Sequence, residues 1–170
     1  MNWRGAIKIT LALALLLVVA AFVVQAFPGL VGADYALTVK SGSMEPAIPT
    51  GSVVFVKDVP AEQAKVGDVI TYRDDGDNLI THRVVERYTA GESLRFVTKG
   101  DANDDPDAEP IYRGDFVGVV TFSIPLIGYV VAFGNTQMGY LALVLVPVML
   151  LIFNELWELY RAMEPETDHD

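Results

Sequence analysis

Two long runs without a charged side chain bracket this sequence, and they leave it few ways to fold. Ile9 to Phe27 holds no Asp, Glu, Lys or Arg, and neither does Phe116 to Asn154. Within the first, Ala6 to Ala26 is 21 residues long with one charge, Lys8. As a helix rising 1.5 Å per residue it extends about 31 Å, the thickness of a bilayer's hydrocarbon core. Lys8 lies near its start and can snorkel to the interface. Arg4 and Lys8 assign the N-terminus to the cytoplasmic side. A cleaved leader is the competing reading, since Val24-Gln25-Ala26 puts small residues where a leader is cut. The apolar run exceeds a usual leader core, which favours an uncleaved anchor.

Near the other end, Met138 to Glu158 reads as a second span, with a kink expected at Pro147. Trp157 and Tyr160 suit the interface and Arg161 the cytoplasmic side. Two spans bring both termini to the cytoplasm. The sequence then divides into a cytoplasmic N-terminus (1–5), a first span (6–26), an extracytoplasmic β domain (34–122), a membrane-proximal apolar segment (123–137), a second span (138–158) and an acidic cytoplasmic tail (159–170). The tail's composition predicts disorder.

Charge concentrates between the spans. From Asp34 to Asp115 there are nine Lys or Arg against sixteen Asp or Glu, a net −7. That balance argues against nucleic acid, whose binding needs clustered cations. The absence of cysteine removes disulfides, thiolate metal sites and a cysteine nucleophile. Short β-branched and aromatic stretches recur here: Tyr35–Lys40, Ser52–Lys57, Asp68–Arg73, Leu79–Arg87, Leu94–Thr98 and Asp115–Phe122. Turn-like Lys65-Val66-Gly67, Asp74 to Asn78 and Thr89-Ala90-Gly91 separate several of them. None has a helical period. The expected fold is an all-β domain, an antiparallel sandwich or partly closed barrel, flanked by N- and C-terminal transmembrane helices.

Three stretches hold side chains suited to chemistry. Ser41-Gly42-Ser43-Met44-Glu45-Pro46 places two serines where a strand must end, because Pro46 lacks an N–H. By itself it is also an ordinary polar turn. His82 lies in a predicted strand, on the face of Ile80 and Val84 and away from Arg83 and Val85. The other histidine, His169, sits in the acidic tail. The third stretch, Thr98 to Asp107, has four aspartates within seven residues: Asp101, Asp104, Asp105 and Asp107. It reads as a solvated acidic loop or a calcium site, without EF-hand spacing. Serine, histidine and carboxylate are the set acyl transfer requires, since a serine hydroxyl needs a base and the base a third group to orient it. A lysine base, from Lys40, Lys57, Lys65 or Lys99, would need its pKa lowered by about 3 units through burial.

Ser41-Gly42-Ser43-Met44-Glu45-Pro46, Gly67-Asp68-Val69-Ile70, Thr81-His82-Arg83-Val84-Val85 and Lys99-Gly100-Asp101 together resemble the successive boxes of type I signal peptidase. Histidine in place of the bacterial lysine is similar to the archaeal and endoplasmic-reticulum branch. The resemblance runs from the first span to about Gly128. It implies a serine endopeptidase with Ser43 as nucleophile, Ser41 supporting the Ser43 N–H in an oxyanion hole, and His82 as general base. For the carboxylate it implies Asp107, with Asp101 supporting. Ala102 and Pro106 depart from the family pattern, so Asp104 and Asp105 compete. It further implies no cofactor and an extended substrate strand with small residues at −1 and −3, while the two apolar runs make the expected protein multi-pass in the cell membrane. The implied partners are signal-peptide-bearing preproteins, the lipid bilayer and the protein translocation channel. The rival readings are a non-catalytic β module binding a protein or cation, and a peptidase acting on pilin-like or regulatory membrane proteins.

Overall fold

A computed structural model describes residues 3–91 and 93–163; most of the acidic tail, with His169, lies outside them. The chain forms two compact units, one of Val23–Tyr129 and one of Met1–Phe22 with Val130–Asp170.

The first unit is built on seven strands: β1 (Tyr35–Thr38), β2 (Val53–Lys57), β3 (Val69–Arg73), β4 (Leu79–Ala90), β5 (Ser93–Lys99), β6 (Ile111–Tyr112) and β7 (Phe116–Ile124). They form one sheet in the order β1-β2-β7-β3-β4-β5-β6, antiparallel throughout and curled into a half-barrel. Of the two expected forms, the curled barrel is the one found. The sequence-based strands agree with the observed ones within a few residues, except β6, which is too short to leave a pattern. Register shifts at Phe55/Val56, Thr71/Tyr72 and Val84/Glu86 mark bulges, and bulges sharpen the bend of a sheet.

Alternation along these strands fills the interior. In β5 Leu94, Phe96 and Thr98 are buried. Phe96, Ile70, Tyr72 and Val84 share one apolar cluster, and Met44, Ile48, Val54 and Val56 share another. Complete burial of a Phe or Ile side chain stabilises by roughly 1.5–3 kcal/mol. A third cluster joins Val24, from the end of the first helix, to Ala33, Val53 and Phe55.

The second unit is helical, and its first two helices each have one end in the first unit. Helix α1 runs Trp3–Ala26, and its stretch Gly5–Ala26 is long and apolar enough to cross a membrane. Helix α2 (Ile127–Gly134) occupies the segment expected only to be apolar. Thr136 then caps α3 (Gln137–Tyr140), accepting from the Gly139 N–H at 2.9 Å. A π-helical turn at Leu141–Leu145 leads into α4 (Val146–Met163). Gln137–Arg161 forms the second stretch able to cross a membrane. The π turn lies just before Pro147, which crowds the turn that precedes it. Lys8 Nζ pairs with Glu155 Oε1 at 2.9 Å and Glu158 Oε2 at 2.8 Å, so its charge is matched within the helical unit.

Candidate active site

Three different local devices bring Ser43, His82 and Asp107 together. Ser43 follows β1 in a turn held from both sides. The next side chain, Met44, is buried among Ile48, Val54 and Val56, which fixes the serine's backbone. Glu45 Oε1 accepts from Thr50 N at 3.2 Å and Thr50 Oγ1 at 3.0 Å, closing the loop beyond it. The Ser43 carbonyl accepts from Ala102 N at 2.9 Å. Gly100 lies so close that an added Cβ would stand 2.6 Å from that carbonyl. Gly100→Ala is therefore expected to displace the serine, and any reaction that uses its hydroxyl should slow by about tenfold or more, since small misplacements of a reacting group are costly. Initial rates at matched protein level check this; an unchanged rate would mean the contact relaxes freely.

His82 comes from β4, where alternation turns it inward with Val84. The ring is buried: the residue is 8 % exposed. Its Nε2 lies 3.0 Å from Ser43 Oγ, and its Nδ1 lies 2.7 Å from Asp107 Oδ2. With the proton on Nδ1 donated to the carboxylate, Nε2 presents its lone pair to the serine hydroxyl. Ser41 Oγ stands 3.3 Å from Ser43 Oγ.

Asp107 arrives on the loop after β5, tied back by its own N–H to the Thr98 carbonyl at 2.8 Å. Its Oδ2 is shared by three donors: Thr98 Oγ1 at 2.6 Å, His82 Nδ1 at 2.7 Å and the Tyr72 hydroxyl at 3.1 Å. Thr98 and Tyr72 are both buried. Burial pushes the Tyr72 phenol well above its ordinary pKa; the Thr98 hydrogen bond works against that, and the Asp107 charge adds to it. Tyr72 consequently remains a proton donor at neutral pH. Neither it nor Thr98 was singled out from the sequence. A signal existed: β3–β4 pairing sets Ile70 opposite His82, and Tyr72, two residues along, shares that face.

The other aspartates go elsewhere. Asp101 is gripped by Arg83, with Nε–Oδ1 at 2.8 Å and Nη2–Oδ2 at 2.6 Å, so the carboxylate beside His82 Nδ1 is that of Asp107 and not of Asp101. This pairing holds the Arg83 guanidinium above its usual pKa. Arg83 Nη1 also donates to the Gly67 carbonyl at 2.9 Å. Asp104 and Asp105 are exposed. Among the described residues no three His, Asp or Glu side chains gather as a metal site requires. None of Lys40, Lys57, Lys65 and Lys99 is buried as a lysine base would need to be.

A cleft of ≈ 860 Å³ opens onto Ser43 and His82, with Leu37, Val39, Met44 and Ile80 in its lining. β1 is the last strand on its side of the sheet. The Leu79–His82 part of β4 pairs with β3 alone, because β5 pairing starts at Arg83. Both strands therefore offer an unpaired edge, and both contribute residues to the cleft. Such an edge is a template for another strand.

Comparison with known proteins agrees with this picture. The Peptidase S24-like family model matches residues 25–123. Signal peptidase I W of Bacillus subtilis is 43% identical over 75 residues, which cover 44% of this chain and 40% of that protein. The signal peptidase complex catalytic subunit SEC11 of Colletotrichum graminicola is 37% identical over 103 residues, covering 55% of this chain and 60% of that one. The corresponding Sclerotinia sclerotiorum subunit is 38% identical, with the same coverage. The match thus spans about half the length of these curated relatives. The resemblance read from the sequence boxes is borne out, and with the two apolar helices it points to membrane association.

Proposed function

Because the chain belongs to the Peptidase S24-like family, we propose that it is a membrane-anchored serine endopeptidase that removes signal peptides from exported preproteins. The observation that carries this reading is the relay Ser43 Oγ–His82 Nε2 at 3.0 Å and His82 Nδ1–Asp107 Oδ2 at 2.7 Å, facing a cleft to which β1 and β4 each turn an unpaired edge. A substrate segment adds as a strand there, its main chain supplying affinity and its alternate side chains specificity. Small residues at −1 and −3 bring the scissile carbonyl to Ser43.

His82 takes the hydroxyl proton as Ser43 Oγ attacks the carbonyl carbon. The resulting oxyanion is held by the Ser43 N–H and the Ser41 hydroxyl, one such donor being worth about 10²–10³ in rate. His82 then gives its proton to the departing amine, and water, activated by the same ring, hydrolyses the acyl-enzyme. Asp107 keeps the imidazole in the required tautomer and stabilises its protonated form. The two spans set both termini in the cytoplasm and the β domain outside, at the level where a preprotein's cleavage site leaves the bilayer. Preproteins, the bilayer and the neighbouring translocation channel are the partners this requires.

Membranes containing the wild-type chain, incubated with a preprotein carrying alanine at −1 and −3, test the proposal. The expected result is mature product with the anticipated N-terminus, lost when −1 is changed to tyrosine. An uncleaved preprotein, or cleavage indifferent to −1, would reject it.

A further inference from the structure

The loop that carries Ser41 and Ser43 is closed at its neck by two backbone bonds. The Val39 N–H donates to the Ser52 carbonyl at 2.8 Å, and the Gly51 N–H donates to the Val39 carbonyl at 2.9 Å. On that neck rests the first turn of α2, whose Gly128 N–H donates to the Gly51 carbonyl at 2.9 Å. A Cβ on Gly128 would stand 2.7 Å from that carbonyl oxygen and 2.7 Å from Thr38 Cγ2, so only glycine lets the two backbones approach. The Tyr129 ring lies over Gly51 itself, where a Cβ would overlap it and where φ is +80. Tyr129 is 54 % exposed, so the ring serves this contact more than the core. Just before them Leu126 has φ +63, a left-handed conformation costly for a residue with a side chain. Leu126 is exposed, so its own packing does not offset that cost; the seat of Gly128 and Tyr129 on Gly51 does. All of these residues belong to the first unit.

Val39 links this seat to the reaction. Thr38 and Val39 line the cleft beside Ser41 and Ser43, on the edge where a substrate strand adds. We propose that Gly128 and Tyr129 are positioning residues for cleavage: clamped on Gly51, they hold the β1 edge at the distance from His82 and Ile80 that a substrate strand needs. The inference rests on the peptidase reading above. Neither residue lines the cleft, so both act through Gly51 and Val39. Ser43 has anchors of its own in buried Met44 and in the Ala102 N–H on its carbonyl. Loosening the clamp therefore shifts the substrate edge more than it shifts the relay of Ser43, His82 and Asp107. Pairing with the substrate weakens, while a substrate once bound still reacts. Loss of binding that is equal in the ground and transition states raises KM and leaves kcat little changed.

Steady-state cleavage of a preprotein with alanine at −1 and −3, by the detergent-solubilised full-length chain, tests the clamp. Tyr129→Ala uncovers Gly51 and should raise KM about tenfold with kcat within about twofold, since small displacements of a binding edge are strongly felt. Tyr129→Phe keeps the ring and should restore the wild-type KM. Gly128→Ala, which pushes α2 away from Gly51 and Thr38, should raise KM at least as much as Tyr129→Ala. The pH profile of kcat should be the same in all three, because His82 and Asp107 are untouched. A chain that is merely destabilised behaves differently: partial unfolding lowers the apparent kcat and leaves KM unchanged. That pattern, a wild-type KM in Tyr129→Ala, or failure of Tyr129→Phe to restore it would each overturn the proposal. If wild type itself leaves the preprotein uncut, the peptidase reading falls and the clamp's role in cleavage with it.

Discussion

Alanine at Ser43, or at His82, should lower preprotein cleavage by about 10⁴- to 10⁶-fold, the loss seen when a nucleophile or its base is removed from a serine relay. Neither change should unfold the domain. Ser43 Oγ contacts His82 and Ser41, and the turn stays anchored by buried Met44 and by the Ala102–Ser43 backbone bond. His82→Lys should be equally inactive. A lysine base works only if neutral at working pH, which burial promotes and a nearby carboxylate opposes. At this position the new ammonium would face Asp107, whose Oδ2 lies 2.7 Å from the present ring nitrogen, and would stay charged. Cleavage by detergent-solubilised variants at equal concentration provides the check. More than about 1% residual rate in Ser43→Ala would remove this serine from the chemistry, given the size of loss expected. A working His82→Lys would show that the carboxylate moves aside.

Much of this arrangement was legible in the sequence because it rests on strong periodic signals. The two long apolar helices announced themselves by absence of charge, and strands such as Val53–Lys57 and Val69–Arg73 by β-branched runs. The inward turn of His82 followed from alternation alone. Helix α2 was not legible: Ile127–Gly134 is apolar on every side, so it has no face to betray a helical period. The choice among four aspartates was harder still. They lie in a loop, where no period applies, and two contacts distant in sequence decide between them. Arg83, beside the histidine but pointing the other way, captures Asp101; the Thr98 carbonyl holds Asp107 by its backbone and delivers it to Nδ1. The resemblance implied Asp107 with Asp101 in support; the fold sets the first against His82 and the second against Arg83. The three-donor grip on its Oδ2 is likewise a product of register between β3, β4 and β5.

That grip makes Asp107→Asn the second change of large effect. Oδ2 receives hydrogen bonds from His82 Nδ1, Thr98 and Tyr72, and a carboxylate oxygen accepts all three. An amide cannot serve them equally. If its NH₂ group faces the ring, it can only donate, so Nδ1 must become the acceptor and the proton moves to Nε2. There it points at Ser43 and cannot abstract. An expected loss of about 10⁴-fold in kcat follows, with KM little changed, because substrate contacts lie in the cleft and not behind the histidine. Asp101→Asn provides the contrast. It weakens the Arg83 pair and the turn touching Ser43 but leaves the tautomer intact, so its loss should be well below that of Asp107→Asn. Tyr72→Phe and Thr98→Val each leave the carboxylate two donors, and each should cost up to about tenfold, the worth of one hydrogen bond of ordinary strength. Steady-state kinetics on the four variants separates these cases. Equal losses for Asp101→Asn and Asp107→Asn would mean that the acidic loop acts by holding the fold, and that orientation of the imidazole is not what Asp107 supplies.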